Sequence, residues 1–350
     1  MNHQYYNVLG VMSGTSLDGI DIAHITLVRK EVWSFQIHVA ETIAYSTAMK
    51  QKLADAISYD ANSIETLNEE YTAYLANEIN LFIEKYKINN LIAVCSHGHT
   101  IFHKPENNYT LQIGNLPHLA EIIKERVICD FRVQDVELNG QGAPLVPIGD
   151  RLLFGDYDYC LNLGGFANLS FEKGTQRIAY DICPVNVVLN HYSLKLGKEY
   201  DAGGAFAKAG KIQSSQLESL NDLPFYTESA PKSLGLEWVN NHIFKILNPL
   251  NTLDAITTFT EHVAIQIANQ LSPQKTILIT GGGAFNTYLI DSLKKHTAVK
   301  ITIPEDEIVE NKEALIFALL GVLKLRNANN CLSSVTGADR DHSSGVIYVP

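Results

Sequence analysis

An apolar run, Val8–Met12, enters the polar loop SGTSLDG (Ser13–Gly19), and a second apolar run, Ile20–Val28, leaves it. Two strand-like runs flanking glycines, hydroxyls and aspartates predict a hairpin whose turn carries more polar chemistry than a turn needs. TAMKQKLADAI and SIETLNEEYTAYLANEINLFIEKYKI then place apolar residues at helical spacing. Ser63, Thr66 and the acids after them mark an N-terminus for the second helix. NLIAVCSHGHTIFH predicts a short apolar strand ending in a polar loop, YTLQIGN a strand, LPHLAEIIKER a helix and VICDF a strand. After the Gly/Pro-containing stretch FRVQDVELNGQGAPLVPIGD the pattern restarts. YDYCLNLGGFANLSFE is again strand, glycine turn, strand. RIAYDICPVNVVLNHYSL predicts strand, loop, helix; LDAITTFTEHVAIQIANQL a helix; KTILITGGGAFNTYLIDSLKKH strand, glycine loop, helix; VKITIP a strand. Both halves therefore open on a strand–polar turn–strand unit and continue as mixed α/β with a partly parallel sheet. The longest apolar stretch, Ala314–Leu323, is too short to span a bilayer and predicts a buried helix.

Composition narrows the class of partner. The chain has 350 residues, 46% hydrophobic, with a formal net charge of −11. That length suits two domains or one large α/β domain. The acidic balance argues against nucleic acid or an anionic membrane as partner, although backbone amides and metal ions bind phosphate without lysines. The five cysteines are scattered, without a C-x-x-C pair, which predicts reduced thiols, a cytoplasmic setting and no zinc site. MNHQYYNV lacks the features of a signal peptide.

Three loops place small residues where backbone must approach a ligand: Ser13–Gly19, Asn162–Asn168 (NLGGFAN) and Gly281–Asn286 (GGGAFN). Glycine removes the Cβ and permits positive φ, so successive amides can face an anion. The P-loop pattern is absent, GGAFAKAGKI (Gly203–Ile212) being a near miss; G-x-G-x-x-G and G-x-S-x-G are absent too.

The charged candidates each carry two readings. Asp18 suits a Mg²⁺–water shell beside a phosphate, or an Asx turn. Asp181, at the end of RIAYD, suits a general base in a cleft, or a cap for the next helix. Glu313 opens a helical stretch, where it would contact substrate or complement the macrodipole. Arg132 would orient a substrate oxygen or form an interdomain salt bridge, with Asp135 as partner. His97, His99 and His103 lack a further ligand at metal spacing nearby, so they read as residues touching substrate or packing on the sheet.

Many stretches together resemble the anhydro-N-acetylmuramic acid kinase family: GVMSGTSLDGIDIA, SHGHTIFHKP, TLQIGN, DFRVQDVELNGQGAPLVP, LNLGGFANLS, AYDICPVN, YDAGGAFAKAG, PKSLGLEWVN, TFTEHVAIQIA, ILITGGGAFN, EALIFALLG and SSVTGADR. The resemblance runs nearly end to end. It implies an α/β, two-domain actin-like ATPase (ribonuclease H-like) fold with ATP in a central interdomain cleft. The expected domains are 1–132, with 333–350 packing back on it, and 133–332. It also implies a kinase that hydrolytically opens a 1,6-anhydro sugar while phosphorylating O6, in peptidoglycan recycling, acting in the cytoplasm as a homodimer with ATP and Mg²⁺. Asp181 matches the catalytic base. Ser13, Gly14, Thr15, Ser16, Asp18, Gly19 and Asp21 match the first phosphate loop, where Asp18 is the candidate to hold Mg²⁺ through ATP. Gly164, Gly165 and Asn168 match the second phosphate loop, and Gly281, Gly282, Gly283 and Asn286 the loop near the adenosine. His97, Arg132, Asn186 and Glu313 match substrate-side positions. The family usually reads D-T-G-P-G-N where this chain has Asp181-Ile182-Cys183-Pro184-Val185-Asn186, so Cβ atoms occupy two glycine positions beside the base. Asn190 stands where aspartate is frequent, and His99 where glutamine is common. A kinase of a different, levoglucosan-like anhydro sugar or other sugar is the alternative enzyme reading. A nucleotide-binding regulatory or assembly protein is the non-enzyme alternative.

Overall fold

The computed structural model describes residues 4–14 and 16–350. Its strands are β1 (Tyr5–Ser13), β2 (Gly19–Arg29), β3 (Trp33–Ala44), β4 (Ala93–Lys104), β5 (Tyr109–Ile113), β6 (Val127–Cys129), β7 (Tyr159–Leu163), β8 (Phe166–Lys173), β9 (Gln176–Pro184), β10 (Thr276–Thr280), β11 (Lys300–Thr302) and β12 (Val346–Tyr348). They divide between two compact units. The first is Met1–Leu153 with Asn311–Pro350; the second is Phe154–Glu310.

The first unit holds a seven-stranded sheet of order β12-β6-β4-β1-β2-β3, with β5 beside β4. Strands β1, β2 and β3 run antiparallel, and β4 and β6 add in parallel to β1 and to each other. The second unit repeats this plan as β11-β10-β7-β8-β9: β7, β8 and β9 antiparallel, then β10 and β11 parallel. Three antiparallel strands followed by two parallel ones, in the order 3-2-1-4-5, is the ribonuclease H-like plan. Its occurrence in both units is the two-domain actin-like ATPase arrangement. The repetition makes the turn β1–β2 the topological counterpart of β7–β8.

The first unit's core joins the inner face of the sheet to the helix Ala61–Tyr86 through residues such as Leu9, Ile22, Tyr71 and Ile79. That helix starts earlier than Ser63 would set it: Asp60 is the cap, its side chain accepting from the Ser63 amide. On the other face lies the helix Asp306–Leu325, whose residues Ala314–Leu323 are all buried, as the apolar run predicts. It sits so close to the sheet that a Cβ at Gly10 would lie 2.0 Å from the Ala314 carbonyl oxygen. Lys312 and Asp150, both almost fully buried, pair at 2.7 Å and tie this helix to Val146–Leu153. These contacts assign residues 133–153 and 311–332 to the first unit, where the expected boundaries, 132/133 and 332/333, placed them in the second. Local hydropathy does not show which sheet a buried helix covers.

Two strands run longer than expected. β4 continues through His97, His99 and His103 to Lys104, because β5 pairs with it across His99–Lys104. β9 continues past Asp181 to Pro184. Strand β3 follows β2 on the sheet edge. All five cysteines are buried free thiols. Among the described residues, no helix is long and apolar enough to cross a membrane.

Candidate functional site

In the second unit the chemistry gathers at one end of β8–β9. A bulge shifts the register between Ala167 and Asn168 and sets Asn168 opposite Asp181. The Asn168 amide Nδ2 donates to Asp181 Oδ1. The Leu234 amide donates to Asp181 Oδ2 at 2.8 Å, and the Asp181 amide donates to the Lys232 carbonyl at 3.1 Å. The carboxylate is thus pinned from both sides, with one donor on each oxygen. Burial pushes its pKa up, against the pull of the Leu234 and Asn168 hydrogen bonds. Helix capping is excluded: the helix Asn186–Leu194 is preceded by Val185 and has no side-chain cap.

Cys183 and Val185, the two departures from glycine, are fully buried. They pack in the second unit's core with residues such as Leu189, Ile243 and Ile279. Within this unit their side chains are closed off from solvent.

The glycine loops lie at the C-terminal ends of β7 and β10. Gly281 has φ +81°, and a Cβ there would meet Asn162 Oδ1 at 2.5 Å. The loop needs glycine to pass the end of β7 this closely. Asn186 Nδ2 donates to the Leu163 carbonyl at 3.1 Å, joining the same turn. Asn286 caps the helix Thr287–His296, its Oδ1 accepting from the Leu289 amide at 3.0 Å. A recess of about 350 Å³ opens here, lined among others by Asn186, Asn190, Asp201, Gly282, Phe285 and Asn286. Gly164 and Gly165 form the β7–β8 turn itself, half-exposed. Asp201 and Phe285 were not singled out from the sequence. Asp201 sits in YDAGGAF, its carboxylate accepting from the Phe206 and Ala207 amides at 2.7 and 3.0 Å; that repeated glycine pair was the available signal.

The first unit places the β1–β2 turn beside a buried hydroxyl cluster. Ser13 is 2% exposed. Its Oγ lies 2.5 Å from Tyr45 Oη, 2.8 Å from His99 Nδ1 and 3.0 Å from Tyr71 Oη. The hydroxyl expected at a phosphate is therefore spent inside the protein, anchoring the turn. His99 meets Ser13 here, and burial holds its pKa down at about 4. Gly14 is half-buried, and Ser16 and Asp18 are exposed. Thr15 lies outside the described residues. Gly19 pairs with Ala44 on β3, where a Cβ would strike the Ile43 carbonyl oxygen at 2.3 Å, so its glycine serves strand packing. Asp21 Oδ1 accepts from Thr42 Oγ1 at 2.6 Å.

Arg132 and His97 form a second group in the first unit. Arg132 Nε donates to His97 Nε2 at 2.9 Å, and Nη1 donates to the Gly142 carbonyl at 2.7 Å. His97 Nδ1 lies 2.9 Å from the Gly98 carbonyl, and the ring packs on Phe317. Both ring nitrogens are occupied, and His97 is 4% exposed, so it supports Arg132 and has no nitrogen left for a substrate. His103 Nδ1 lies 3.1 Å from Thr110 Oγ1, and burial and then the Arg132 charge hold its pKa down.

Glu313 lies two turns into Asp306–Leu325, too far from its start to complement the macrodipole. Water reaches its side chain, yet surrounding protein pushes its carboxyl above the ordinary range; Arg132 and Lys312 pull it down, and Asp21 pushes it up. Asp135 does not pair with Arg132. It is fully buried and accepts from the Gly142 amide and the Thr336 hydroxyl, both at 2.7 Å.

Comparison with known proteins agrees with the residue pattern. The profile of the family described as "Anhydro-N-acetylmuramic acid kinase" matches residues 6–350. Proteins of that name from Saccharophagus degradans and Mannheimia succiniciproducens are 32% and 33% identical to this chain. The first match covers 98% of each chain; the second covers 99% of this chain and all of the relative. The Haemophilus influenzae protein of that name is 31% identical over 99% of this chain and 98% of its own. A solved structure, component A of the Acidaminococcus fermentans (R)-2-hydroxyglutaryl-CoA dehydratase, aligns with TM-score 0.45 and 15% identity over 93% of this chain and all of its own, too remote to bear on chemistry. The chain belongs to the anhydro-N-acetylmuramic acid kinase family.

Proposed function

We propose that this protein opens 1,6-anhydro-N-acetylmuramic acid with water and transfers the γ-phosphoryl group of ATP to O6, giving N-acetylmuramic acid 6-phosphate. The observation that carries this reading is Asp181. Its carboxylate is fixed by Asn168 and Leu234, and it stands in the second unit that also carries the glycine turns Gly164–Gly165 and Gly281–Gly283.

The chemistry is a coupled displacement. Water adds to C1 and loses one proton to Asp181. The C1–O6 bond breaks with its electron pair on O6, which bonds to the γ-phosphorus as the bond to ADP's leaving oxygen breaks. Neither half is favourable alone: O6 is a poor leaving group unless captured, and phosphoryl transfer needs a nucleophile. A partly buried carboxylate whose pKa is raised by burial is a better base than an ordinary surface aspartate. Arg132, held by His97 and the Gly142 carbonyl, presents its remaining donors to a sugar oxygen, and Glu313 accepts from a sugar hydroxyl. The recess at Asn186, Asp201 and Asn286 takes the adenosine. Gly14, Ser16 and the Gly164–Gly165 turn offer backbone donors to the phosphates.

Asp18 and Asp21 supply hard carboxylate oxygens beside the β1–β2 turn, a donor type that fits Mg²⁺ held jointly with phosphate oxygens. Bound there, the ion would neutralise phosphate charge. A cytoplasmic setting and a homodimer complete the reading.

ADP release measured across 1,6-anhydro-N-acetylmuramic acid, levoglucosan and N-acetylmuramic acid tests the substrate. Turnover of the first, with a 6-phosphate product by mass spectrometry, is expected. Preference for levoglucosan, or ATP binding without turnover of any sugar, would overturn the reading.

A further inference from the structure

We propose that Asp135, Cys331 and His342 form a structural zinc site in the first unit. Scattered cysteines without C-x-x-C spacing argue against zinc in the sequence. The fold gathers a ligand set from distant positions instead.

Cys331 and His342 face each other across an isolated antiparallel bridge. The Cys331 amide donates to the His342 carbonyl at 3.1 Å, and the His342 amide returns a bond to Cys331 at 3.3 Å. Directly opposed residues on antiparallel backbone send their side chains to the same face. Asp135 comes from the helix Val133–Glu137. One donor atom from each residue lies within 4.8 Å of the others, and all three residues are buried.

The second observation is an orphaned nitrogen. His342 is 5% exposed and its Nε2 has no hydrogen-bond partner. Its Nδ1 lies 3.1 Å from the Arg340 carbonyl oxygen, an acceptor, so Nδ1 carries the proton and donates. The neutral ring then has its lone pair on Nε2, which lies 3.6 Å from Asp135 Oδ1. A cation held between this lone pair and the carboxylate oxygen would satisfy both.

The donor types choose the ion. One thiol sulfur, one imidazole nitrogen and one carboxylate oxygen suit Zn²⁺, and the set is too soft for Mg²⁺ or Ca²⁺. The surroundings already orient the ligands: the Gly142 amide and Thr336 hydroxyl hold Asp135, and the Arg340 carbonyl holds His342. Zinc binding releases the Cys331 thiol proton to solvent and leaves a Zn–thiolate bond, with no redox change. The three ligands leave one tetrahedral position of the ion open, and because all three are buried the ion would be taken up as the chain folds. It would staple the segment Cys331–His342 to the helix that follows Arg132.

Tag-free full-length protein expressed with zinc and analysed by inductively coupled plasma mass spectrometry tests this. About one zinc per chain is expected, with loss of most of it in Cys331→Ser and in His342→Gln. Protein grown with cobalt should show a thiolate-to-cobalt charge-transfer band that Cys331→Ser removes. Folded wild-type protein with less than about a tenth of an equivalent of zinc and no rise in Tm on adding zinc would overturn the proposal. Zinc retained in full by both variants would also overturn it, by placing the metal elsewhere.

Discussion

Arg132 Nε donates to His97 Nε2 at 2.9 Å, so His97 must be neutral with its proton on Nδ1, facing the Gly98 carbonyl. Burial, and then the Arg132 charge, hold its pKa well below the usual histidine range, which keeps this acceptor available at physiological pH. His97 thereby turns Arg132 from a flexible cation into a fixed one. His97→Phe should preserve the packing on Phe317 but leave Nε unpaired. We expect the sugar KM to rise about tenfold, as for one lost charge-assisted hydrogen bond, with the Kd for ATP nearly unchanged. An equal rise in the ATP Kd would mean that His97 supports the whole unit rather than Arg132.

Asn168 was expected to touch nucleotide, yet its amide donates to Asp181. Asn168→Ala should lower kcat about tenfold with ATP binding retained, because the base loses one of two fixed donors. Isothermal titration with ATP beside steady-state rates separates the roles. A lost ATP affinity with normal kcat would restore the nucleotide assignment.

Cys183 and Val185 are core residues of the second unit. Restoring the family's glycines, Cys183→Gly and Val185→Gly, should therefore cost about 1–3 kcal/mol each through cavity formation and backbone freedom. Preference among anhydro sugars should not move. Differential scanning calorimetry and kcat/KM ratios check both halves; a changed preference with an unchanged Tm would contradict the placement.

Buried histidines make the fold acid-sensitive. Burial holds His99 at about 4 and His262 at about 3, from an ordinary value of 6.5. The unfolded chain binds these protons first, so stability is full above about pH 6.5 and falls as pH drops toward 4 and then 3. Urea unfolding between pH 7 and 4 should show a loss on the order of a few kcal/mol. His262→Gln should flatten that slope; an identical slope would place the proton uptake elsewhere.

The glycine loops and the buried helix were legible because their signals are local. β3 carries a local signal as well, Trp33, Phe35, Ile37 and Val39 alternating with exposed Ser34, Gln36 and His38, although no strand is assigned there from the sequence. The domain boundaries were misplaced because hydropathy reports that Ala314–Leu323 is buried, not against which sheet. The Asn168–Asp181 bond depends on a one-residue bulge that alternation does not encode. Ser13 looked like a phosphate ligand because a hydroxyl beside glycines is the same whether it faces solvent or, as here, Tyr45, Tyr71 and His99.

The central claim is that Asp181 takes the proton from water as the anhydro ring opens. Asp181→Asn keeps an oxygen for the Leu234 amide and should fold and bind ATP as the wild type does. With 1,6-anhydro-N-acetylmuramic acid and ATP, its kcat for forming the 6-phosphate, followed by mass spectrometry, should fall by about 10²–10⁴-fold. Full turnover by folded Asp181→Asn would contradict the account.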